Sequence, residues 1–307
     1  MSRMLIFPGQ GAQTVGMGRD LAAAFPACKA LFDRASAVLG FDLLRLCAEG
    51  PIEELTRSCN TQPAIFAVSA AALAALEELG FDRASAAGAA GLSSGEWAAL
   101  WAAGAVTFED ALRILRARGT YMQEACEATP GGMLTVIGLP PDAVARVAAE
   151  TGLEVANYNS PLQTVLSGHA DRIPAAAAAA KAAGAKRALP LTVAGAFHSS
   201  LMKPAADRLE TFLRDIPIRA PAVPVWSNVT AAPHADPDSI RRLMVAQVAS
   251  SVRWSDSFAA MAAAGMDSAL ELGPGTVLAG LARRIIPAVA VSSVSDTDTA
   301  RSALQAP

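Results

Sequence analysis

The chain has 307 residues, 52% of them hydrophobic, with 25 Lys and Arg against 28 Asp and Glu for a formal net charge of −3. That length, about two domains' worth, buries a core without disulfides or metals, and near-neutrality excludes a nucleic-acid binder built on a strongly basic face. No run approaches the roughly 18 consecutive apolar residues of a membrane span, and Met4–Phe7 is too short for a signal-peptide core, so the chain is expected to be soluble and cytoplasmic.

In chain order, Met4–Phe7 reads as a buried strand broken at Pro8-Gly9, and Pro63–Leu79 as a helix. Ala86–Ala90 is taken as a strand from its context, since its small residues have poor strand propensity. Phe108–Ala125 follows as a helix. The middle of the chain gives a strand at Gly132–Gly138, a helix at Pro141–Glu150, strands at Leu153–Ala156 and Thr164–Leu166, a helix at Arg172–Ala183 and a strand at Ala188–Val193. This β-α-β-β-α-β order is that of a ferredoxin-like unit. Further on come helices at Leu201–Arg214, Ser239–Val248 and Val277–Ile285, with strands at Val223–Trp226, Ala269–Leu272 and Ala288–Val294. The fold class is therefore α/β, with residues 1–127 and 197–307 forming the larger unit and 128–196 a ferredoxin-like insertion. The alanine tract Ala175–Ala180 reads as a helix face packed closely on a sheet.

The strongest local motif is Gly91-Leu92-Ser93-Ser94-Gly95, a GxSxG pattern between a strand and a helix, expected by chance about 0.12 times in such a chain. It places a serine hydroxyl at a sharp turn where flanking glycines relieve crowding, and its frame selects Ser93 over Ser94. The plain alternative is a glycine-rich turn with Ser93 capping the helix. A serine nucleophile needs a base. Three histidines are available: His169, where a helix is expected to start, His234 in a loop read as solvated, and His198 at the return from the insertion. His198 is favoured, because clefts form where two units meet. The cysteines Cys28, Cys47, Cys59 and Cys126 form no CxxC pair, and neither they nor the histidines give a metal-ligand pattern. Gly9 and Gly11, after the first strand, allow either an oxyanion-binding backbone N–H or an ordinary tight turn. Gly273-Pro274-Gly275 reads as a structural turn.

Arg118 stands out by helical periodicity. With Leu112 set at 0°, it falls at about 240°, between Tyr121 and Ile114 at about 180–200° and Met122 and Leu115 at about 280–300°. Arg116, Arg113 and Glu124 fall on the polar side, at about 40–120°. A buried guanidinium needs an anionic partner, which is either a core carboxylate or a carboxylate-bearing ligand.

Together these motifs resemble the malonyl-CoA:acyl carrier protein transacylase family, which also supplies acyltransferase domains of polyketide synthases. The resemblance rests on Phe7–Gly11, Thr61-Gln62-Pro63, Gly91–Glu96, Arg118-Gly119 with Met122-Gln123, Asn157–Ser167, Gly195–Met202 and Glu271–Leu278, in family order over nearly the whole chain. It implies a hydrolase-like α/β unit with an inserted ferredoxin-like one. It implies Ser93 as the acylated nucleophile, His198 as general base and acid, and backbone amides of Gln10 and Ser94 as oxyanion hole. Arg118 then pairs with the malonyl carboxylate, and the Gln247 carbonyl orients His198 without a catalytic aspartate. Phe197 resembles the aromatic residue of malonyl-selective members. The implied partners are malonyl-CoA and an acidic acyl carrier protein, with Arg283 and Arg284 as docking candidates, and no cofactor, metal, nucleic acid or membrane. Leu92, Ser94, Trp97 and Leu162 depart from the commoner histidine, leucine, tyrosine and glycine, which bears on acyl selectivity and hydrolytic leakage. A related acyl hydrolase and a silent carrier-protein scaffold are the rival readings.

Overall fold

Strands in the computed structural model, which describes residues 2–304, are β1 (Arg3–Phe7), β2 (Gly88–Gly91), β3 (Gly131–Ile137), β4 (Glu154–Ser160), β5 (Gln163–His169), β6 (Arg187–Pro190), β7 (Val225–Trp226), β8 (Ser268–Leu272) and β9 (Ala290–Val294). They form two sheets. The larger is parallel, in the order β7-β2-β1-β8-β9. Met4, Leu5, Ile6 and Phe7 are all buried, as a central parallel strand covered by helices on both faces requires. β2 is built of Gly and Ala because of what packs on it. A Cβ at Gly88 would lie 2.8 Å from the Trp226 ring, and one at Gly91 only 2.0 Å from the Gly95 backbone. Low strand propensity is here the cost of close approach.

The smaller sheet is antiparallel, ordered β4-β5-β3-β6, with the helices Pro141–Thr151 and Ile173–Ala182 between its strands. Ala176 and Ala180 of the alanine tract pack in its core beside Leu134, Val136 and Leu166. β4 and β5 run longer than the apolar residues alone suggested, because Tyr158 and Ser160 still pair with Thr164 and Gln163 across the Pro161-Leu162 turn. As a result His169 ends a strand, and the following helix starts only at Ile173. β6 stops at Pro190, three residues short of the expected end: Leu191 N–H still donates to Met133 O at 2.9 Å, and the chain then turns off the ladder with Val193 N–H on Leu191 O at 3.1 Å. The outer edge of β4 is covered by the larger unit, through Tyr158 N–H to Val252 O at 2.9 Å and Val252 N–H to Ala156 O at 2.8 Å. Pairing this edge fixes the small sheet over the C-terminal ends of the large one.

Two long helices flank the site. Ser58–Glu78 begins earlier than expected and carries Pro63 inside it. Pro63 has no N–H for the Cys59 carbonyl, and Arg116 Nη1 donates to that carbonyl instead at 2.9 Å. Among the described residues this is the helix long and apolar enough to cross a membrane, and its apolar window is wholly buried in the protein. Phe108–Ala128 crosses it closely, with Gly119 against the Ser58 backbone, where a Cβ would lie 2.2 Å from the Ser58 oxygen.

Candidate active site

Ser93 lies where β2 turns at once into the helix Gly95–Ala102, and its φ of 54° puts it in the left-handed region. For a non-glycine residue this costs on the order of 1–3 kcal/mol, so the surroundings must hold it. Asn228 Oδ1 accepts from Ser93 N–H at 2.7 Å, while Asn228 Nδ2 donates to Gly91 O at 2.8 Å. The glycine spacing is steric. A Cβ at Gly95 would sit 2.3 Å from Phe7 O, and one at Gly9 would sit 2.3 Å from Leu92 O. Ser93 caps no helix: Ser94 holds the N-cap position, without a side-chain capping bond.

His198, also at positive φ (58°), presents Nε2 to Ser93 Oγ at 2.8 Å and Nδ1 to the Gln247 backbone carbonyl at 2.9 Å. A carbonyl only accepts, so Nδ1 carries the proton and Nε2 turns its lone pair toward the serine. Burial, followed by the Arg118 cation, pushes the imidazole down to about 4, against a smaller upward pull from the Gln247 carbonyl. At neutral pH it is an unprotonated base. His169 is exposed at the far end of β5. His234 is buried, not solvated. Its N–H bonds Val225 O at 2.9 Å and the neighbouring Pro233 bridges Trp226, which folds the loop under the site and brings Nε2 within 2.8 Å of Glu96 Oε1.

Arg118 is 1% exposed, as its place in the apolar arc required. Its Nη1 donates to Gln62 Oε1 at 2.8 Å, and Nη2 donates to Gln247 Oε1 at 3.0 Å and to Ser93 Oγ at 3.2 Å. No carboxylate forms a salt bridge with it among the described residues, and its Nε has no protein acceptor. Burial lowers the guanidinium to about 10, opposed by the Glu96 carboxylate, so it remains a cation. A full charge held by two neutral amide oxygens beside the serine suits an anion arriving on that serine.

The remaining expected residues converge on the same place. A cleft of about 790 Å³ is lined by Gln10, Ser93, Arg118, Phe197 and His198, between the large sheet's C-terminal ends and the small sheet. The Gln10 and Ser94 N–H groups bond no protein acceptor among the described residues, as two oxyanion donors require. Gln247 is fully buried at the start of the short 3₁₀ turn Gln247–Ala249. The arrangement can activate a hydroxyl, stabilise an oxyanion and bind a carboxylate within one cleft.

A family model described as "Acyl transferase domain" matches residues 4–302. The chain belongs to the acyl transferase domain family. It is 42% identical over 304 residues to the malonyl CoA-acyl carrier protein transacylase of Escherichia coli K12, covering 98% of each chain. An acyl carrier protein S-malonyltransferase from Vibrio cholerae superposes with a TM-score of 0.95 at 39% identity, over 99% of this chain and 100% of that one. A malonyl-transacylase solved in complex with a type II polyketide acyl carrier protein gives the same TM-score at 40% identity, over 99% of each chain.

This acyl transferase domain also uses residues that motif reading left without a role. Asn228 clamps the serine turn, Gln62 holds Arg118, and Glu96 accepts from the Asn228 N–H at 3.0 Å, from Gln247 Nε2 at 2.6 Å and from His234. Glu96 had a signal, a carboxylate directly after GxSxG on a helix whose first turn is otherwise apolar. Asn228 had only its place just beyond a strand's C-terminal end. Of the unusual residues, Trp97 is fully buried, Leu92 lines the cleft and Leu162 is half exposed on the β4–β5 turn.

Proposed function

We propose that the chain transfers the malonyl group of malonyl-CoA to the phosphopantetheine thiol of acyl carrier protein through an acyl-Ser93 intermediate. The observation that carries this reading is Arg118, a buried cation that forms no salt bridge among the described residues, 3.2 Å from Ser93 Oγ. Relatives named as malonyl transacylases at 42% identity support it. The catalytic unit is residues 1–127 with 197–307, the insertion is 128–196, and the working compartment is the cytoplasm.

Ser93 Oγ attacks the thioester carbonyl as His198 Nε2 takes its proton. The oxyanion is held by the Gln10 and Ser94 N–H groups, and the malonyl carboxylate by Arg118. Collapse expels the CoA sulfur, which leaves with the proton from His198. The carrier thiol then gives its proton to His198 and attacks the ester, and Ser93 recovers the proton as it departs. Every bond and proton is handled by Ser93 and His198, so the scheme calls for no cofactor. Phe197 limits the room beside the malonyl α-carbon. Intact mass after separate exposure to malonyl-, methylmalonyl- and acetyl-CoA should show a malonyl adduct that carrier protein then clears. Free malonate released in place of malonylated carrier would indicate the hydrolase reading, and no adduct at all would indicate the scaffold.

The depressed His198 value fixes a pH profile. The base form persists above about pH 4, so kcat/KM for acylation should hold to about pH 5 and fall with a midpoint near 4. Below the ordinary value of 6.5 the unfolded chain takes up a proton that folded His198 refuses, so this contribution to stability is lost as pH falls from 6.5 toward 4. Single-turnover acylation across that range is the measurement. A midpoint near 6.5 would mean the imidazole is solvated.

Arg283 and Arg284 are exposed at the C-terminal end of the helix Val277–Ile285, whose opposite end borders the cleft, and Arg284 Nη1 donates to Gln163 Oε1 at 2.5 Å. Reversing both charges should weaken transfer to carrier protein while leaving acylation by malonyl-CoA nearly intact. Equal loss in both half-reactions would make the pair structural.

A further inference from the structure

Beneath the serine turn lies a second, wholly buried set of polar groups that the transfer scheme does not consume. Glu96 and Gln247 are fully buried and the His234 side chain is likewise 0% exposed. Their hydrogen bonds run in one direction. His234 Nε2 donates to Glu96 Oε1 at 2.8 Å, and Gln247 Nε2 donates to Glu96 Oε2 at 2.6 Å and to Ser93 O at 3.1 Å. Gln247 Oε1 then faces Arg118 Nη2 at 3.0 Å.

A glutamine amide fits a cavity in either of two orientations related by a half-turn, and only its partners choose between them. Turned the other way, Gln247 would set its NH2 against the Arg118 guanidinium, donor against donor. Its oxygen would then face the Glu96 carboxylate and the Ser93 carbonyl, acceptor against acceptors. Ser93 O and Asn228 Oδ1, at 3.3 Å, are weaker acceptors than the carboxylate, which makes the shortest of these contacts. Glu96 is itself held from both sides, by the Asn228 N–H at 3.0 Å and by His234, so it cannot turn away.

We propose that Glu96 is a positioning residue that sets the preference for malonyl over neutral acyl groups by fixing the Gln247 amide, which in turn aims Arg118. This rests on the malonyl-transfer reading and specifies what holds its carboxylate site in register. His198 is affected less, because it is oriented by the Gln247 backbone carbonyl, and the 3₁₀ turn places that group whichever way the side chain points. What Glu96 supplies is an acceptor. In Glu96→Gln one amide oxygen can stay on the Gln247 and Asn228 donors, and the new NH2 meets His234 Nε2, whose proton moves to Nδ1. That nitrogen has no hydrogen-bond partner among the described residues, so the shift breaks no existing bond; it leaves a buried N–H unpaired, a cost of about 1–3 kcal/mol that falls on stability and not on the malonyl-to-acetyl ratio.

The test measures kcat/KM for acylation of Ser93 from malonyl-CoA and from acetyl-CoA in the full-length enzyme. Glu96→Met, which keeps the bulk and removes the acceptor, should lower the malonyl-to-acetyl ratio about 20-fold, the scale of one charge-assisted hydrogen bond, with most of the loss on malonyl. Glu96→Gln should keep the ratio within about 5-fold. Gln247→Met should match Glu96→Met, and the double variant should be no worse than either single one, because the two act as one unit. Equal loss on both thioesters, or independent multiplication of the two effects, overturns the proposal. If Glu96→Met does not fold, Glu96→Gln and Gln247→Met alone and combined carry the test. A 20-fold fall of the ratio in folded Glu96→Gln would then overturn it. Failure of the malonyl-transfer reading shows separately, as an unmodified parent enzyme.

Discussion

Replacing His198 with alanine is expected to slow acylation of Ser93 by several powers of ten, the scale of losing the base that activates a serine. Among the described residues no second base stands ready beside the 2.8 Å contact from Nε2 to Ser93 Oγ, since the other hydrogen-bond partner of that hydroxyl is a guanidinium that only donates. Ser93→Ala should abolish the acyl-enzyme outright, whereas Ser94→Ala should retain much of it, because the proposed scheme uses only the Ser94 backbone N–H and its Oγ makes no hydrogen bond among the described residues. A mass adduct surviving on the Ser93 variant would sink the assignment. His169→Ala, far along β5, should change little. His234→Ala should behave as a stability variant. It strips Glu96 Oε1 of its buried donor, at about 1–3 kcal/mol, and should shift Tm more than it shifts the acylation rate. Equal rate losses at all three histidines would mean that the base is not His198.

The parts of this site written in local spacing were readable in advance. GxSxG specifies a turn so tight that Gly91 and Gly95 admit no Cβ, and that constraint is visible in five residues. Arg118 was legible because a helix repeats every 3.6 residues and an arginine among Ile114, Leu115 and Met122 has to be explained. Its actual partners were not legible, because Gln62 and Gln247 reach it from 56 and 129 residues away and amide side chains carry no periodic signature. The same applies to His234. Its loop looks polar in Pro233-His234-Ala235-Asp236-Pro237, and only the fold reveals that Glu96, 138 residues earlier, waits behind it. Strand ends differ from composition where pairing overrides it, as at Tyr158 and Ser160, or where the chain turns off the ladder, as between Leu191 and Val193. The resemblance to a family supplied roles for Gln10 and Gln247 that no spacing argument provides, since both would act through backbone atoms.

Arg118→Ala is expected to invert the preference between malonyl- and acetyl-CoA while the protein stays folded. Malonate brings a carboxylate into a buried site and acetate does not, so the variant leaves a buried charge unpaired on one substrate and none on the other. The loss for malonyl should be on the order of 3–5 kcal/mol, as when one partner of a buried pair is removed. Part of any rate change will be common to both thioesters, because Arg118 Nη2 also touches Ser93 Oγ at 3.2 Å. The ratio of the two kcat/KM values cancels that shared part and isolates the carboxylate contact. Lysine should restore only a fraction: its point charge cannot span Gln62 and Gln247 at 2.8 and 3.0 Å while presenting a fork to the ligand. A second signature accompanies the first. The Arg118 cation is one of the two causes that depress His198, so removing it should move the acid limb of the acetyl-transfer profile upward from about pH 4. If malonyl and acetyl rates fall by the same factor in a folded variant, and the acid limb stays where it was, Arg118 supports the fold and does not select the substrate.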